Sequence, residues 1–317
     1  MSKVFITDRV IHPTIEKRIL GDYLTTNITD KKIRVLLVWH QIVDKEYLDK
    51  FPSVELIIRY GVGYDKINLE ECRKRNIIVC NNPSYCTEEV STTALAMILN
   101  SSRNISRYDF EARKYTHSWQ ENVKKNIRRN SFQTVGFIGV GRIGSLTLHQ
   151  CNILRYKTRF YDPFIENGYE KVLNSVKDEE MYKMLSKSDI VSLHCPLNKN
   201  TQGLVDENFI QNMKKGSSLV NTARGGLIKN LDIIEKALKD NHLKMVSLDV
   251  LPCEPPQDHS LIKAWREAQP WVSGRLIINP HASYYSEESS KEQRVSVALN
   301  ALRFLKGETP LNIINKN

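Results

Sequence analysis

Four polar side chains follow predicted apolar strands in the second half of the chain, and their types suit proton transfer to an anionic carbonyl compound. Arg224 lies in NTARGG, Asp249 and Glu254 lie in LDVLPCEPP, and His281 lies in NPHAS. An arginine binds a carboxylate through two parallel hydrogen bonds. A glutamate beside a histidine favours the charged imidazole and raises its pKa, which suits a general acid.

Each of these residues also has an ordinary structural interpretation. Arg224 fits a surface arginine, Asp249 a capping residue, Glu254 a loop carboxylate and His281 a loop histidine. The carboxyl ends of parallel strands meet at one edge of a sheet, where ligands bind. We therefore expect the four side chains to converge on one crevice if the strands that precede them are parallel.

A glycine-rich segment, TVGFIGVGRIG, precedes these strands. It contains Gly139, Gly141 and Gly144 in the G-x-G-x-x-G spacing, between a predicted strand and a predicted helix. The first glycine permits a tight turn, the second lets the backbone approach a pyrophosphate, and the third lets the helix pack on the strand. Arg142 and Ile143 are expected at the phosphate contact, where a helix N-terminus favours anions.

The next predicted strand ends in RFYDP, which places Asp162 beyond it. An acidic residue there accepts hydrogen bonds from the adenosine ribose and repels a 2′-phosphate. The sequence therefore predicts NAD(H) rather than NADP(H) as the cofactor. The alternative is a glycine turn followed by a capping aspartate, with no ligand.

A rhythm of short apolar strands and helical segments occurs twice along the chain. It predicts an α/β fold with two Rossmann-like or flavodoxin-like parallel-sheet domains, covered by helices on both faces. A long helix is expected over residues 87–106 and a last helix over 286–306. The predicted strands are residues 3–7, 33–39, 54–59, 77–81, 134–139, 158–162, 189–194, 217–221, 245–250 and 276–279.

Composition narrows the class of protein further. The chain has 317 residues, a net charge of +10 and 41% apolar residues, and no apolar run approaches the roughly 18 residues of a membrane span. The basic run 123–130 lacks interleaved aromatic residues, which argues against nucleic acid. Six scattered cysteines without a CxxC pair argue against a disulfide framework or a metal site. The N-terminus lacks the pattern of a signal peptide, so we expect a cytoplasmic protein.

Six segments together resemble the D-isomer-specific 2-hydroxyacid dehydrogenases. They are GFIGVGRIG, YDP, LHCPLNKNTQGLV, LVNTARGGLI, LDVLPCEPP and NPHASYYSE, in family order along nearly the whole chain. The resemblance implies a substrate domain made of residues 1–102 and 285–317. It implies a Rossmann domain that binds NAD(H), inserted as residues 103–284. It also implies a homodimer and a small 2-keto or 2-hydroxy acid substrate.

The resemblance also assigns roles to individual residues. It implies that Arg224, Glu254 and His281 are catalytic and that Asp249 contacts the nicotinamide amide. Backbone N–H groups of the segment IIRYGVGYDKIN would bind the substrate carboxylate. The implied cofactor-lining residues are Cys195, Pro196, Thr201, Thr222 and Ala223, and the implied substrate-binding residues are Arg59, Val62, Gly63 and Tyr284.

Two functions remain open at this point. The first is an NAD-dependent enzyme that interconverts a 2-keto acid and a D-2-hydroxy acid, with His281 as acid and base. The second is an NAD(H)-sensing corepressor with little turnover, because RYGVGYDKIN and HASYYSEESSKEQR are similar to the C-terminal binding proteins. In that branch a tryptophan usually stands where this chain has Tyr284.

Overall fold

The computed structural model describes residues 2–117, 119–123 and 127–315, so residues 124–126 of the basic run 123–130 lie outside the described residues. The chain forms two compact units. The first unit comprises Met1–Cys86 and Tyr285–Asn317, and the second comprises Thr87–Tyr284. Because the second unit interrupts the sequence of the first, the last helix must return to complete the first unit.

The first unit is built on five parallel strands in the order β2-β1-β3-β4-β5. Alternate residues of β3 enter two different apolar cores, Leu36 and Val38 on one side and Val35 and Leu37 on the other. A sheet buried on both faces requires such apolar runs, which explains why its longer strands could be predicted. The strands are β1 (Lys3–Ile6), β2 (Leu24–Thr25), β3 (Ile33–Val38), β4 (Leu56–Arg59) and β5 (Ile78–Cys80).

Four helices cover this sheet, and side-chain caps define where three of them begin. The carboxylate of Asp44 and the amide oxygen of Asn68 accept backbone N–H groups at two of the N-termini. Ser286 and Ser289 form a reciprocal capping box at the start of the last helix. The helices are α1 (Thr14–Leu20), α2 (Lys45–Leu48), α3 (Leu69–Lys74) and α12 (Glu287–Leu305).

A buried ionic network ties the N-terminal and C-terminal segments of the first unit together. Arg294 of α12 donates hydrogen bonds of 2.9 and 2.6 Å to the two carboxylate oxygens of Glu16 in α1. The hydroxyl of Tyr60 donates to the same carboxylate over 3.0 Å. Glu16 and Tyr60 are fully buried. A buried carboxylate needs such partners, since an unpaired charge away from water is strongly destabilising.

The second unit is built on seven parallel strands in the order β12-β11-β10-β9-β6-β7-β8. The strand order reverses between β6 and β9, which is where ligands bind in sheets of this kind. The predicted α/β architecture is confirmed. The strands are β6 (Thr134–Ile138), β7 (Lys157–Tyr161), β8 (Val176–Lys177), β9 (Ile190–Leu193), β10 (Ser217–Asn221), β11 (Leu243–Leu248) and β12 (Leu276–Ile278).

Eight helices belong to the second unit within the described residues. They are α4 (Thr87–Arg103), α5 (Ile105–Ala112), α6 (Arg142–Ile153), α7 (Tyr169–Val172), α8 (Met181–Lys187), α9 (Glu207–Asn212), α10 (Leu231–Lys239) and α11 (Ser260–Arg266). None of the helices in the described part of the chain is long and apolar enough to cross a membrane.

Two features of this region differ from the sequence prediction. The single helix expected over 87–106 is interrupted at Asn104, whose backbone is left-handed with φ 56°, so α5 starts as a separate helix. The predicted domain boundary placed residues 87–102 with the first unit, but α4 packs against α6 and strands β9, β10 and β11. Buried Met97 and Ile98 join a core of the second unit, which therefore begins at Thr87.

The ionic network leads to a stability prediction. Arg294→Met leaves the buried carboxylate of Glu16 without its cationic partner, and we expect a loss of about 3–5 kcal/mol in the free energy of unfolding. The double variant Glu16→Gln with Arg294→Met should recover part of that loss. Arg303→Met is the control because its ion pair with Glu308 is exposed and is expected to contribute about 1 kcal/mol or less. Urea unfolding measures all three, and equal losses for Arg294→Met and Arg303→Met would contradict the prediction.

Candidate active site

The glycine-rich turn between β6 and α6 shows how the motif works. Gly139 has φ 88°, and a Cβ built there would lie 2.8 Å from the backbone nitrogen of Cys195. A Cβ on Gly144 would lie 2.3 Å from the carbonyl oxygen of Gly139. Gly141 differs, because a Cβ there would meet nothing within 4 Å. Gly139 and Gly144 are therefore needed for packing, whereas Gly141 borders open space.

That space lies at the N-terminus of α6, which begins at Arg142 with Gly141 as its N-cap. Gly141 has no side chain to occupy the N–H groups of the first turn. These N–H groups and the helix dipole attract anions. The geometry fits the pyrophosphate of a dinucleotide, and Arg142 and Ile143 occupy the first turn as predicted from the motif.

Asp162 is held against the glycine-rich turn immediately beyond β7. One carboxylate oxygen accepts the N–H of Val140 over 3.0 Å, and the other accepts the N–H of Phe164 over 3.0 Å. Each carboxylate oxygen can accept more than one hydrogen bond, so these contacts leave capacity for a ligand hydroxyl. They fix the position of the carboxylate before a ribose arrives.

The loop after β9 contains three of the predicted cofactor-lining residues. The hydroxyl of Thr201 donates to the carbonyl oxygen of Pro196 over 2.6 Å, which closes the loop on itself. Cys195 lies against Gly139, and burial, with a contribution from the charge of Asp162, raises the pKa of the Cys195 thiol to about 12. Cys195 is therefore a neutral packing group at physiological pH.

Buried polar atoms without partners mark where a ligand could bind. Nine buried side-chain polar atoms of the described residues have no hydrogen-bond partner, and two of them lie at or beside predicted site residues: the hydroxyls of Thr222, which follows β10, and Ser283. Buried hydroxyls are normally paired, so such atoms call for a ligand or an ordered water. Thr222 is one of the predicted cofactor-lining residues, and Ala223 follows it. Ser283 was missed by sequence reasoning, although it lies two residues after His281.

The conformation of the segment that contains Arg224 is set by contacts of other residues in the motif NTARGG. Asn221, at the end of β10, donates its amide N–H to the carbonyl oxygen of Arg224 over 2.9 Å and accepts the N–H of Ala223 over 3.0 Å. A Cβ on Gly225 would lie 1.8 Å from the carbonyl oxygen of Leu251. Gly225 therefore lets this turn pack directly on the loop that leads to Glu254. Neither Asn221 nor Gly225 was predicted as a site residue, but both stand beside Arg224 in the motif.

Asp249 follows β11 and holds the loop that contains His281. It is 1% exposed, and its carboxylate accepts the N–H groups of Ala282 (3.0 Å) and Ser283 (3.1 and 3.2 Å). Its carbonyl oxygen accepts the N–H of His281 over 2.9 Å. These contacts were not predicted. The contact with a nicotinamide amide that the resemblance implies for Asp249 stays a prediction.

His281 is held by both backbone and side chain. The backbone of His281 has a φ of 54°, which is unusual for a residue with a Cβ and costs on the order of 1 kcal/mol. The contacts of Asp249 with this loop must therefore stabilise the left-handed backbone. Nδ1 of His281 lies 2.7 Å from Oε2 of Glu254, whose Oε1 accepts the N–H of Leu251 over 2.8 Å. Because a carboxylate only accepts hydrogen bonds, Nδ1 carries a proton and Nε2 is left for acid–base chemistry.

The charges of Arg224, Glu254 and His281 interact. Partial burial acts to raise the pKa of Glu254, but the hydrogen bond and charge of His281, the N–H of Leu251 and the charge of Arg224 outweigh it and lower that pKa. Glu254 is therefore ionised at neutral pH. The ring of Tyr284 meets His281 edge-on with the centroids 6.4 Å apart. The structure thus brings together the predicted catalytic residues and one predicted substrate-binding residue.

The other predicted substrate-binding residues lie in the first unit. Arg59 ends β4, and its guanidinium would lie 3.4 Å from a Cβ on Gly61. The carbonyl oxygen of Val62 accepts the side-chain amide of Asn81 over 2.7 Å, which fixes the turn that includes Gly63.

Comparison with known proteins identifies the family. The family described as "D-isomer specific 2-hydroxyacid dehydrogenase, NAD binding domain" matches residues 95–283. The chain belongs to the D-isomer-specific 2-hydroxyacid dehydrogenases. A glyoxylate reductase of Thermofilum pendens is 31% identical over 313 residues, which are 98% of this chain and 88% of that protein. A glyoxylate reductase of Korarchaeum cryptofilum is 31% identical over 277 residues, which are 86% of this chain and 80% of that protein.

A solved structure extends the likeness to three dimensions. The D-lactate dehydrogenase of Aquifex aeolicus, in complex with NAD and lactic acid, has a TM-score of 0.83 and 27% identity, with 96% of each chain covered. Together with the family match, this likeness shows that the chain described here is an NAD-dependent oxidoreductase that interconverts a 2-keto acid and a D-2-hydroxy acid. The predicted family, cofactor and reaction are confirmed, and the corepressor alternative is not favoured.

The open space above Gly141 leads to a prediction for cofactor binding. Gly141→Ala adds a methyl group where the pyrophosphate is expected, without a clash inside the protein, because φ is −67° and no atom lies within 4 Å. We expect the Kd for NADH to rise by about tenfold or more, the equivalent of 1.4 kcal/mol, with little change in Tm. Gly144→Ala, which clashes with the backbone, should lower Tm instead. Fluorescence titration with NADH and thermal unfolding separate the two effects, and unchanged NADH affinity in Gly141→Ala would contradict the assignment.

His194 leads to a prediction for the pH dependence of stability. It packs on Phe137, its Nε2 lies 2.8 Å from the hydroxyl of Ser192, and burial lowers the pKa of His194 from 6.5 to about 4. Between these values the unfolded chain binds a proton that the folded chain does not, so stability is full above pH 6.5 and declines as pH falls towards 4. His194→Gln should reduce that decline without removing it, because the pKa of His40 is also lowered to about 4. Tm measured from pH 7.5 to pH 4.5 tests this, and a variant as pH-sensitive as the wild type would contradict it.

Proposed function

We propose that His281 is the proton donor and acceptor of this dehydrogenase, that Arg224 binds and polarises the 2-keto acid, and that Glu254 orients His281. The observation that carries the proposal is the 2.7 Å contact between His281 Nδ1 and Glu254 Oε2. It fixes the tautomer of the imidazole and leaves Nε2 as the atom that exchanges a proton with the substrate.

The reaction divides between cofactor and protein. The dinucleotide that the glycine-rich turn and Asp162 would hold would supply the hydride for the carbonyl carbon. The protonated Nε2 of His281 donates its proton to the carbonyl oxygen in reduction and takes a proton from the hydroxyl in oxidation. The guanidinium of Arg224 pairs with the substrate carboxylate and stabilises negative charge on the carbonyl oxygen.

The substrate is proposed to contact residues of the first unit as well. Val62 and Gly63 would donate backbone N–H groups to the C1 carboxylate, and Arg59 would add a positive charge. Tyr284 would contact the substrate side chain from beside His281. We therefore propose that the first unit is the substrate domain. The supporting observation is that the side chain of Asn81 fixes the turn that contains Val62 and Gly63.

The cofactor contacts are proposed on the same basis. Asp162 would accept the ribose hydroxyls and disfavour a 2′-phosphate, and its fixed carboxylate supports this. The residues proposed to line the dinucleotide are Gly139, Gly141, Arg142, Ile143, Gly144, Cys195, Pro196, Thr201, Thr222, Ala223 and Asp249. We further propose a cytoplasmic homodimer, which rests on the family resemblance and the free thiols of the described cysteines.

Steady-state NADH oxidation tests the assignment of His281. The substrates are glyoxylate, pyruvate, hydroxypyruvate, and branched and aromatic 2-keto acids. We expect turnover with at least one of them, and a kcat reduced by about 100-fold or more in His281→Ala, because general acid catalysis contributes that much. The Kd for NADH should not change. His149→Ala is the matched control, since His149 is an exposed histidine of α6.

Two outcomes would count against the proposal. A kcat for His281→Ala within about threefold of the wild type would remove His281 from the chemistry, given the size of the effect expected. An equal loss in His149→Ala would show that the variants act through stability.

A further inference from the structure

The carboxyl edge of the first sheet collects more positive charge than a single carboxylate needs. Strands β1, β3 and β4 are neighbours, with Ile6 paired to Leu37 and Val38 paired to Arg59. The residues that continue these strands therefore emerge side by side. They include Arg9 after β1, His40 after β3, and Arg59 at the end of β4.

Direct contacts connect these residues. Nη1 of Arg9 lies 2.6 Å from Nε2 of His40. An arginine has no acceptor atom, so His40 must accept through an unprotonated Nε2 and is neutral. Its other ring nitrogen, Nδ1, then carries the hydrogen and is a donor. The backbone of Arg9 has φ 63°, which fixes an unusual course for the chain at this edge.

A fourth basic residue belongs to the same group. The N–H of Val43 donates to the carbonyl oxygen of Lys66 over 2.9 Å, so the loop after His40 lies beside the loop that contains Val62 and Gly63. Lys66 is exposed at this junction.

The pKa of His40 is sensitive to the charges of Arg9, Arg59 and Lys66, which indicates that all three lie near its ring. Burial lowers the pKa of His40 most, and the positive charges of Arg59, Arg9 and Lys66 lower it further, to about 4, against the opposing charge of Asp8. The carboxylate of Asp8 is itself engaged, because it accepts the backbone N–H groups of Trp39 (3.0 Å) and His40 (2.5 Å). Three positive charges therefore act on His40 against the one negative charge of Asp8.

We propose that Arg9, Lys66 and the Nδ1–H of His40 form a subsite, beside Arg59, for a second anionic group on the substrate. The group is a carboxylate or a phosphate at the end of the 2-keto acid opposite C1. The inference rests on the proposed function, since Val62 and Gly63 on the same edge are the proposed donors to the C1 carboxylate. Clustered cations attract anions and disfavour neutral apolar groups, so the subsite selects its substrate by charge.

Pairs of 2-keto acids with the same number of carbon atoms test the subsite. The pairs are 2-oxobutyrate with oxaloacetate, 2-oxovalerate with 2-oxoglutarate, and hydroxypyruvate with phosphohydroxypyruvate. In each pair only the second acid has another anionic group, and the last pair separates phosphate from carboxylate. We expect kcat/KM to favour the second acid of at least one pair by about tenfold or more, the equivalent of 1.4 kcal/mol.

Variants then assign this preference to the residues. Lys66→Gln and Arg9→Asn should each lower the preference, mainly through a higher KM for the acid with two anionic groups, because a contact far from the reacting carbon affects binding. Asparagine is chosen at position 9 because it tolerates a positive φ. Lys66→Arg should retain the preference. Lys31→Gln is the matched control, since Lys31 is exposed at the opposite edge of the sheet, before β3.

The outcomes separate this inference from the function on which it rests. Turnover of acids with one anionic group and no preference in any pair would overturn the subsite and leave the dehydrogenase mechanism intact. A preference that survives both Lys66→Gln and Arg9→Asn would overturn the assignment to these residues. Failure to oxidise NADH with any of these six acids, and with glyoxylate, pyruvate, and the branched and aromatic 2-keto acids as well, would count against the proposed function itself.

Discussion

The buried carboxylate of Asp249 is the constraint on which the catalytic loop depends. It accepts the N–H groups of Ala282 and Ser283, while its backbone carbonyl accepts the N–H of His281. These contacts offset the strain of the left-handed backbone at His281 and aim the imidazole at Glu254. A carboxylate that is 1% exposed is stable only while those N–H groups satisfy it. The loop geometry and the buried carboxylate of Asp249 therefore stabilise each other, and the proposed proton-transfer site depends on both.

Close backbone approach is the second condition for assembling the site. Gly139 and Gly144 bring the strand, the turn and the helix of the phosphate loop together, and Gly225 brings the turn of Arg224 onto the carbonyl oxygen of Leu251. A side chain at Gly139 or Gly144 would disrupt the packing of the phosphate turn, and one at Gly225 would separate the turn of Arg224 from the loop that leads to Glu254. Gly139, Gly144 and Gly225 allow segments of backbone to approach each other closely, whereas Gly141 leaves space for a ligand.

Three histidines illustrate how environment decides protonation. His281 is 37% exposed on its side chain and pairs with an ionised glutamate through Nδ1, which leaves Nε2 for the proposed proton transfer. Burial holds His194 neutral, and burial with the charges of three basic residues holds His40 neutral. A neutral His40 beside Arg9, Arg59 and Lys66 donates a hydrogen bond without adding charge, which suits recognition of an anion. The same type of side chain therefore serves packing at His194 and, in our proposals, proton transfer at His281 and recognition of a second anion at His40.

The sequence by itself determined the parallel strands with long apolar runs, the glycine spacing, and the types of residue at the strand ends. These depend on local patterns, because a strand buried on both faces needs a continuous apolar run and a phosphate turn needs glycines at fixed offsets. The short strands Leu24–Thr25 and Val176–Lys177 were not predicted, because two residues form no pattern and pair only when a neighbouring strand is present. Only the tertiary structure decided that α4 belongs to the second unit, that Asp249 holds the His281 loop, and that Arg9 contacts His40. Each of these depends on contacts between segments far apart in the chain, which composition and spacing do not encode.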